Sequence, residues 1–163
     1  MQEPANSALF SQPQLVDAIG VANITFNTWR KRNNLFPRTN SDRKWNKYTI
    51  AEVAASKIVK NLTSIGITAQ KAVDVAMAIL PILNVLADPS TVEAIDKRIA
   101  VVKNLDKDQP SIFYLEYGTP LTARNFESTM TIATCILIDV VEVLYDCVDA
   151  IAPGSVNDDE ELV

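Results

Sequence analysis

The sequence predicts a mainly helical fold of the α+β kind, built as two modules. Glycine occurs only 4 times in 163 residues, too seldom for an all-β fold rich in tight turns. Three Ser/Thr-x-x-Glu/Gln signatures (Ser11 to Gln14, Thr49 to Glu52, Ser90 to Glu93) precede helix-like stretches, and each marks a helix start by letting side chain and backbone cap one another. Charge divides the chain. Residues 1–60 hold nine bases against four acids, a net of +5, whereas 61–163 hold six bases and sixteen acids, a net of −10. A basic first third on an acidic remainder suggests two jobs in one chain.

Apolar residues make up 48% of the chain, enough for a packed core. Cys135 and Cys147 are too few for a disulfide framework and lack metal-finger spacing. Both lie in apolar sequence and read as buried free thiols of a reducing cytoplasm. Histidine, the commonest general base and metal ligand, is absent. The sequence also lacks a Gly-rich phosphate loop and a Cys–His pair. No catalytic residue, metal site or cofactor is therefore expected, and the chain is not read as an enzyme. Residues 1–7 have neither a basic segment nor a following apolar run, so they read as a flexible lead-in rather than a signal peptide. The apolar run 72–87 is interrupted by Asp74, Pro81 and Asn84. It falls short of the ~20 residues of a membrane span, and no membrane partner is expected.

In chain order, Ser11 and Gln14 open a helix over about 12–19, with Phe10 and Leu15 at the positions of a hydrophobic staple. Leu15, Val16 and Ile19 form its apolar face, and Gly20 ends it. After Val21-Ala22 a second helix begins, with Asn23 as its expected cap. Two short helices joined by a tight turn are the helix-turn-helix pattern. At 100° per residue Thr25, Phe26 and Trp29 share one side of the second helix, and Asn23, Asn27, Arg30, Lys31 and Asn34 the other. That second face holds amides and bases and no acid. A merely solvated face normally mixes both signs. Amides match adenine edges and arginine matches guanine or phosphate.

Residues 35–38 read as a strand, 39–42 as a turn, and 43–48 as a returning strand. A basic hairpin behind a helix-turn-helix is a wing, whose bases grip phosphates. The candidate DNA contacts are Asn23, Thr25, Asn27, Thr28, Arg30 and Lys31 on the helix, and Arg38, Arg43, Lys44, Asn46, Lys47 and Tyr48 on the hairpin. Thr49 and Glu52 open a helix to about Ser64, with Ile50, Val53, Ala54, Ile58, Leu62 and Ile65 on its apolar face and Gly66 as its stop. Thr68 caps the next helix, which Pro81 is expected to kink or end early. Ser90 opens a helix through about Asn104, and a polar loop follows over 103–109. Residues 111–117 read as a strand, 119–128 as a second strand and 129–138 as a third. Residues 139–151 read as an amphipathic helix. Asp139, Glu142, Asp146 and Asp149 form its wet stripe rather than a cation site, and Val140, Val143, Leu144 and Val148 point inward. An acidic, disordered tail occupies 157–163.

The order of these parts resembles the MerR-like winged helix-turn-helix family. The resemblance rests on Gly20-Val21, Thr25, Trp29, Leu35-Phe36-Pro37-Arg38, Arg43 through Tyr48, Gly66 and Thr68, and it spans about residues 8–75. It implies a transcriptional regulator that binds double-stranded DNA as a homodimer on a pseudo-palindromic operator. It also implies a cytoplasmic location, nucleoid-associated when bound, and RNA polymerase or another protein as a further partner. Residues 23–32 would be the recognition helix and 38–48 the wing. Asn27 stands where the family usually has Arg, and one extra residue sits at Asn33-Asn34 in place of a single Gly. The cysteine ligands of metal-sensing members are missing, so metal response is not implied.

The expected organisation is a flexible start at 1–7, a winged helix-turn-helix at 8–66, a helical or α+β dimerisation or effector module at 67–156, and the acidic tail. The alternatives are an excisionase-like or DNA-packaging architectural protein, and a protein-interaction module with a basic head.

Overall fold

The computed structural model describes residues 9–37, 47–88, 97–103, 111–116 and 135–151. Those residues are mainly helical. The elements are β1 (Phe10–Ser11), α1 (Gln12–Ile19), α2 (Asn23–Arg32), β2 (Lys47–Tyr48), α3 (Ile50–Ser64), α4 (Ala69–Leu86), β3 (Lys97–Lys103), β4 (Ser111–Glu116), β5 (Cys135–Asp139) and α5 (Val140–Ile151).

The helix ends follow local chemistry. Ser11 N–H and Oγ both donate to Gln14 Oε1, at 2.9 and 2.8 Å. At the start of α3, Thr49 N–H donates to Glu52 Oε2 (2.9 Å) and Glu52 N–H donates to Thr49 Oγ1 (3.2 Å). The three bonds from backbone N–H groups serve donors that the start of a helix cannot pair internally, and the Ser11 hydroxyl steadies Gln14 in place. Helices α1 and α3 close alike. Gly20 (φ 68°) and Gly66 (φ 93°) take the left-handed conformation. The N–H groups of Gly20 and Val21 donate to the carbonyls of Asp17 and Val16, and those of Gly66 and Ile67 to Thr63 and Leu62, all at 3.0–3.1 Å. Each is a Schellman closure.

Helix α2 differs at both ends. Its cap is Ala22, not Asn23, which lies inside the first turn. At the other end Asn33 and Leu35 N–H both donate to Trp29 O (3.2 and 3.1 Å), with Asn34 between them at φ 61°. The closing bond reaches back six residues, where α1 and α3 reach back five. Asn33-Asn34 thus form a wider closing loop than those after α1 and α3, and asparagine tolerates the left-handed region that Asn34 adopts.

The strand expected at 35–38 is not formed in its described part. Leu35 and Phe36 form a bend, buried at 1% and 5% exposure. Phe36 sits at φ 53°, a conformation that costs a bulky L-residue about 1 kcal/mol or more. Burial of its ring offsets that cost. The returning strand survives as Lys47–Tyr48, but its partner is the N-terminal strand, antiparallel, with Phe10 opposite Tyr48 and Ser11 opposite Lys47. The remainder of the expected hairpin, residues 38–46, lies outside the described residues.

Helix α3 is the axis of the core. Ile50, Ala51, Val53, Ala54, Ala55, Ser56, Ile58, Val59 and Leu62 are all buried, because α1, α4, α5 and β2 pack around it. Ser56 Oγ donates to Glu52 O at 2.8 Å, which satisfies that fully buried hydroxyl. Ile65 is 66% exposed, because α3 ends at Ser64 before its apolar stripe reaches that position.

Helix α4 runs through Pro81 rather than ending there. The proline is on the exposed side of the helix. Its backbone cost of about 3 kcal/mol is balanced beyond it by Leu83 and Leu86, buried at 0% and 5% exposure and contributing about 1.5–3 kcal/mol each. This is the one helix among the described residues long and apolar enough to cross a membrane. Ala72, Val73, Val75, Ala76, Ile79 and Leu83 are buried within it, and it packs on α3.

The helix expected from Ser90 to Asn104 is contradicted over 97–103, which form the central strand of an antiparallel sheet ordered β4-β3-β5. Val102 pairs with Ile112 and Ile136, and Ala100 pairs with Tyr114 and Ile138. Ala100, Val102 and Ile138 are buried and Ile112 and Ile136 partly so. One sheet face therefore joins the helical core. The strand expected at 111–117 is found as β4, and the last strand is described only over 135–139. Expectations for residues 90–96, 104–109, 119–128 and 157–163 lie outside the described residues. Helix α5 follows β5 directly, with Asp139 Oδ1 accepting from the N–H groups of Val141 and Glu142 (3.1 and 3.0 Å). Glu142, Asp146 and Asp149 are exposed, while Val140, Leu144 and Cys147 are buried.

Burial pushes the Cys147 thiol up to about 12, with Lys57 pulling it down and Asp146 pushing it further up. The unfolded thiol ionises near 9.0, so this group leaves stability level below that pH and removes it as pH rises towards about 12. Iodoacetamide at pH 8 is expected to spare Cys147 until denaturant unfolds the chain, as peptide mass mapping would show. Gly66→Ala places a Cβ where no atom lies within 4 Å, so only the backbone conformation is penalised. Urea titration should show a loss of about 1–2 kcal/mol.

Candidate nucleic-acid interface

Helix α2 is fixed from below by aromatic packing. Phe26 (0% exposed) meets Tyr48 edge-on with ring centroids 5.5 Å apart, and Trp29 at 6.5 Å. Phe36 lies 6.2 Å from Tyr48, and the Arg30 guanidinium carbon stands 5.7 Å from the Tyr48 ring centre. These contacts settle which way the helix faces. Phe26 and Trp29 point inward, so Ile24, Asn27, Thr28 and Lys31 lie on the arc turned away from the core.

Asn23 and Lys31 are exposed and Asn27 is half-buried. Their arrangement depends on a residue from the other helix. Gln12, the first residue of α1, donates from Nε2 to Asn23 Oδ1 (3.0 Å) and to Asn27 Oδ1 (3.3 Å). One amide thereby holds two, and the Asn27 carbonyl keeps a second lone pair while its NH₂ keeps two donors. Gln12, Asn27, Arg30, Lys31 and Asn34 join Leu35, Phe36 and Pro37 around an open groove of about 510 Å³. No carboxylate lines it among the described residues. Such a groove can accept a donor-acceptor edge or an anion, and it suits phosphate or base contacts.

The remaining expected contacts fare differently. Thr25 is exposed on the flank of α2 rather than beside Phe26 in the core. Thr28 Oγ1 donates to Ile24 O at 2.9 Å, so its proton is committed to the helix backbone. Lys47 is exposed. Tyr48 is a correction: it is fully buried, at the centre of the aromatic cluster, and is no surface contact. Strand alternation explains this, since Lys47 and Tyr48 must face opposite ways. Arg38, Arg43, Lys44 and Asn46 lie outside the described residues.

Two residues of the site were not foreseen. Gln12 was read only as helix, and nothing local signals its reach across to α2. Ile24 is 77% exposed, and its wheel position opposite Phe26 and Trp29 was legible as an apolar side chain on a polar face. The end of α2 is also tied down, Asn33 Nδ2 donating to Gln70 Oε1 on α4 (3.2 Å). No family model matches this sequence, and no curated protein matches it.

Tyr48→Ala should act on the fold before it acts on any ligand. Removing this buried ring is expected to lower the free energy of unfolding by about 3–5 kcal/mol, measured by urea denaturation.

Proposed function

We propose that this chain is a sequence-specific double-stranded DNA-binding protein that regulates transcription, with a winged helix-turn-helix head of the MerR-like kind acting as a homodimer. The observation that carries the reading is the outward face of α2. It presents amides held in register by Gln12, with Lys31 beside them and Arg30 at the groove, and no carboxylate. This occurs in a chain of net charge −5, so the acid-free face is a local feature rather than a reflection of composition. In this reading α2 enters the major groove, Asn23 and Asn27 address base edges, and Arg30 and Lys31 address phosphate or guanine. Arg38, Arg43, Lys44 and Lys47, which follow α2 in the sequence, supply further phosphate contacts in this reading. The chain is then neither an enzyme nor a metal sensor, and it acts in the cytoplasm at the nucleoid.

Selection of bound sequences from a random DNA pool, with the mass of the complex, tests binding, palindromy and dimerisation together. The reading expects two half-sites about 34 Å apart. Failure to retain any duplex at low salt would exclude it and favour a basic head that meets an acidic protein. Lys31→Ala should weaken every duplex alike and reduce the slope of log affinity against log salt by about one unit. Asn27→Ala should instead alter which sequences are enriched. An unaltered preference would remove Asn27 from the reading face.

A further inference from the structure

We infer that Ile24 is a specificity-determining residue that recognises the 5-methyl group of thymine in the bound duplex; this deepens the DNA-binding reading above and rests on it. Ile24 is 77% exposed, more than Leu9 (51%), Ile65 (66%), Val85 (42%) or Tyr145 (54%). It is therefore the most open of the large apolar side chains described. Its place on α2 matters more than its exposure. At 100° per residue, with Phe26 and Trp29 defining the inward direction, Ile24 falls almost diametrically opposite, about 20° from Lys31 and about 40° from Thr28. The outermost line of a helix is the part that reaches deepest into a groove. Here it carries an aliphatic side chain flanked by an amide and a base.

The bond from Thr28 Oγ1 to Ile24 O (2.9 Å) adds to the same feature. Thr28 lies one turn along the same face, and its hydroxyl proton is spent on the backbone. Its Oγ1 keeps acceptor capacity only, and its γ-methyl adds an apolar group to the same face as Ile24. In the major groove the one apolar group a base presents is the thymine C5-methyl, and its partner adenine presents the N6/N7 pair that suits an asparagine amide. Asn27 stands three residues from Ile24, about 60° around the helix. An A·T-containing step satisfies both side chains. A guanine or cytosine edge leaves Ile24 against polar atoms.

A single exposed apolar residue is also common on any protein surface, and the test must separate that case. In the duplex enriched by the full chain, each thymine is replaced in turn by deoxyuridine, which removes the methyl and leaves every hydrogen-bonding group in place. Affinity is read at fixed salt. One position per half-site is expected to weaken binding about fourfold, the effect of one buried methyl. Replacing both half-sites should weaken it about sixteenfold, since distant sites add. Ile24→Ala lies outside the core and should keep the wild-type urea midpoint. It should bind the thymine duplex about as weakly as the wild type binds the uracil duplex, and lose the discrimination at that position. Equal affinity for uracil at every position, or full discrimination retained by Ile24→Ala, would overturn the inference while leaving DNA binding intact. No binding to any duplex would overturn the DNA reading itself, and this inference with it.

Discussion

The ring of Tyr48 is the contact on which the geometry of the N-terminal unit depends. Strand β2 brings it in, opposite Phe10 on β1. Phe26 from α2 and Phe36 from the following turn meet it at 5.5 and 6.2 Å, and Arg30 approaches it from the groove side. The next residue, Thr49, caps α3. A fully buried aromatic of this size dominates local packing. Strand β2, helix α2 and the turn that follows α2 thus meet around one side chain. The strained Phe36 backbone persists because its ring is held there, and the direction in which α2 faces follows from the same packing.

The second level of order is finer and polar. Packing of Phe26 and Trp29 sets the rotation of α2 but leaves its outer side chains loose. Gln12 then restricts two of them at once through Asn23 and Asn27. Under the proposed DNA-binding function this matters, because freedom that side chains lose on binding subtracts from affinity. The division of labour is plain: aromatic burial orients the helix, and a shared amide orients its contacts.

The parts legible in the sequence are those set by neighbours within a few residues. Ser11 with Gln14, Thr49 with Glu52, and the glycines at 20 and 66 gave helix boundaries that agree with the structure, because a cap or a left-handed terminator acts over one turn. Misreadings arose where distant partners decide. Residues 97–103 follow an apparent capping signature at Ser90, yet two flanking strands claim them, and Ala100 and Val102 show the two-residue period of a strand. Of the two outcomes expected at Pro81, a kink or an early end, the early end does not occur, because the leucines buried beyond it are a tertiary fact. Tyr48 read as a surface contact because the strand pairing that turns it inward runs to Phe10, some forty residues earlier in the chain. At the interface the polar arc of α2 was visible in the helical period. Gln12 was not, since its role exists only once α1 and α2 are docked.

One contiguous apolar core runs from Leu15 and Ile19 of α1, through α3, to Leu144 and Cys147 of α5, and α5 packs directly on α1. The chain passes Gly66 without any break in that core, so the glycine punctuates the backbone without creating a hinge. Helix α1 therefore has two clients: its buried flank answers to α5, and its first residue steers the asparagines of α2. The groove lined by Gln12 and the apolar face that meets α5 are thus built on one and the same eight-residue helix.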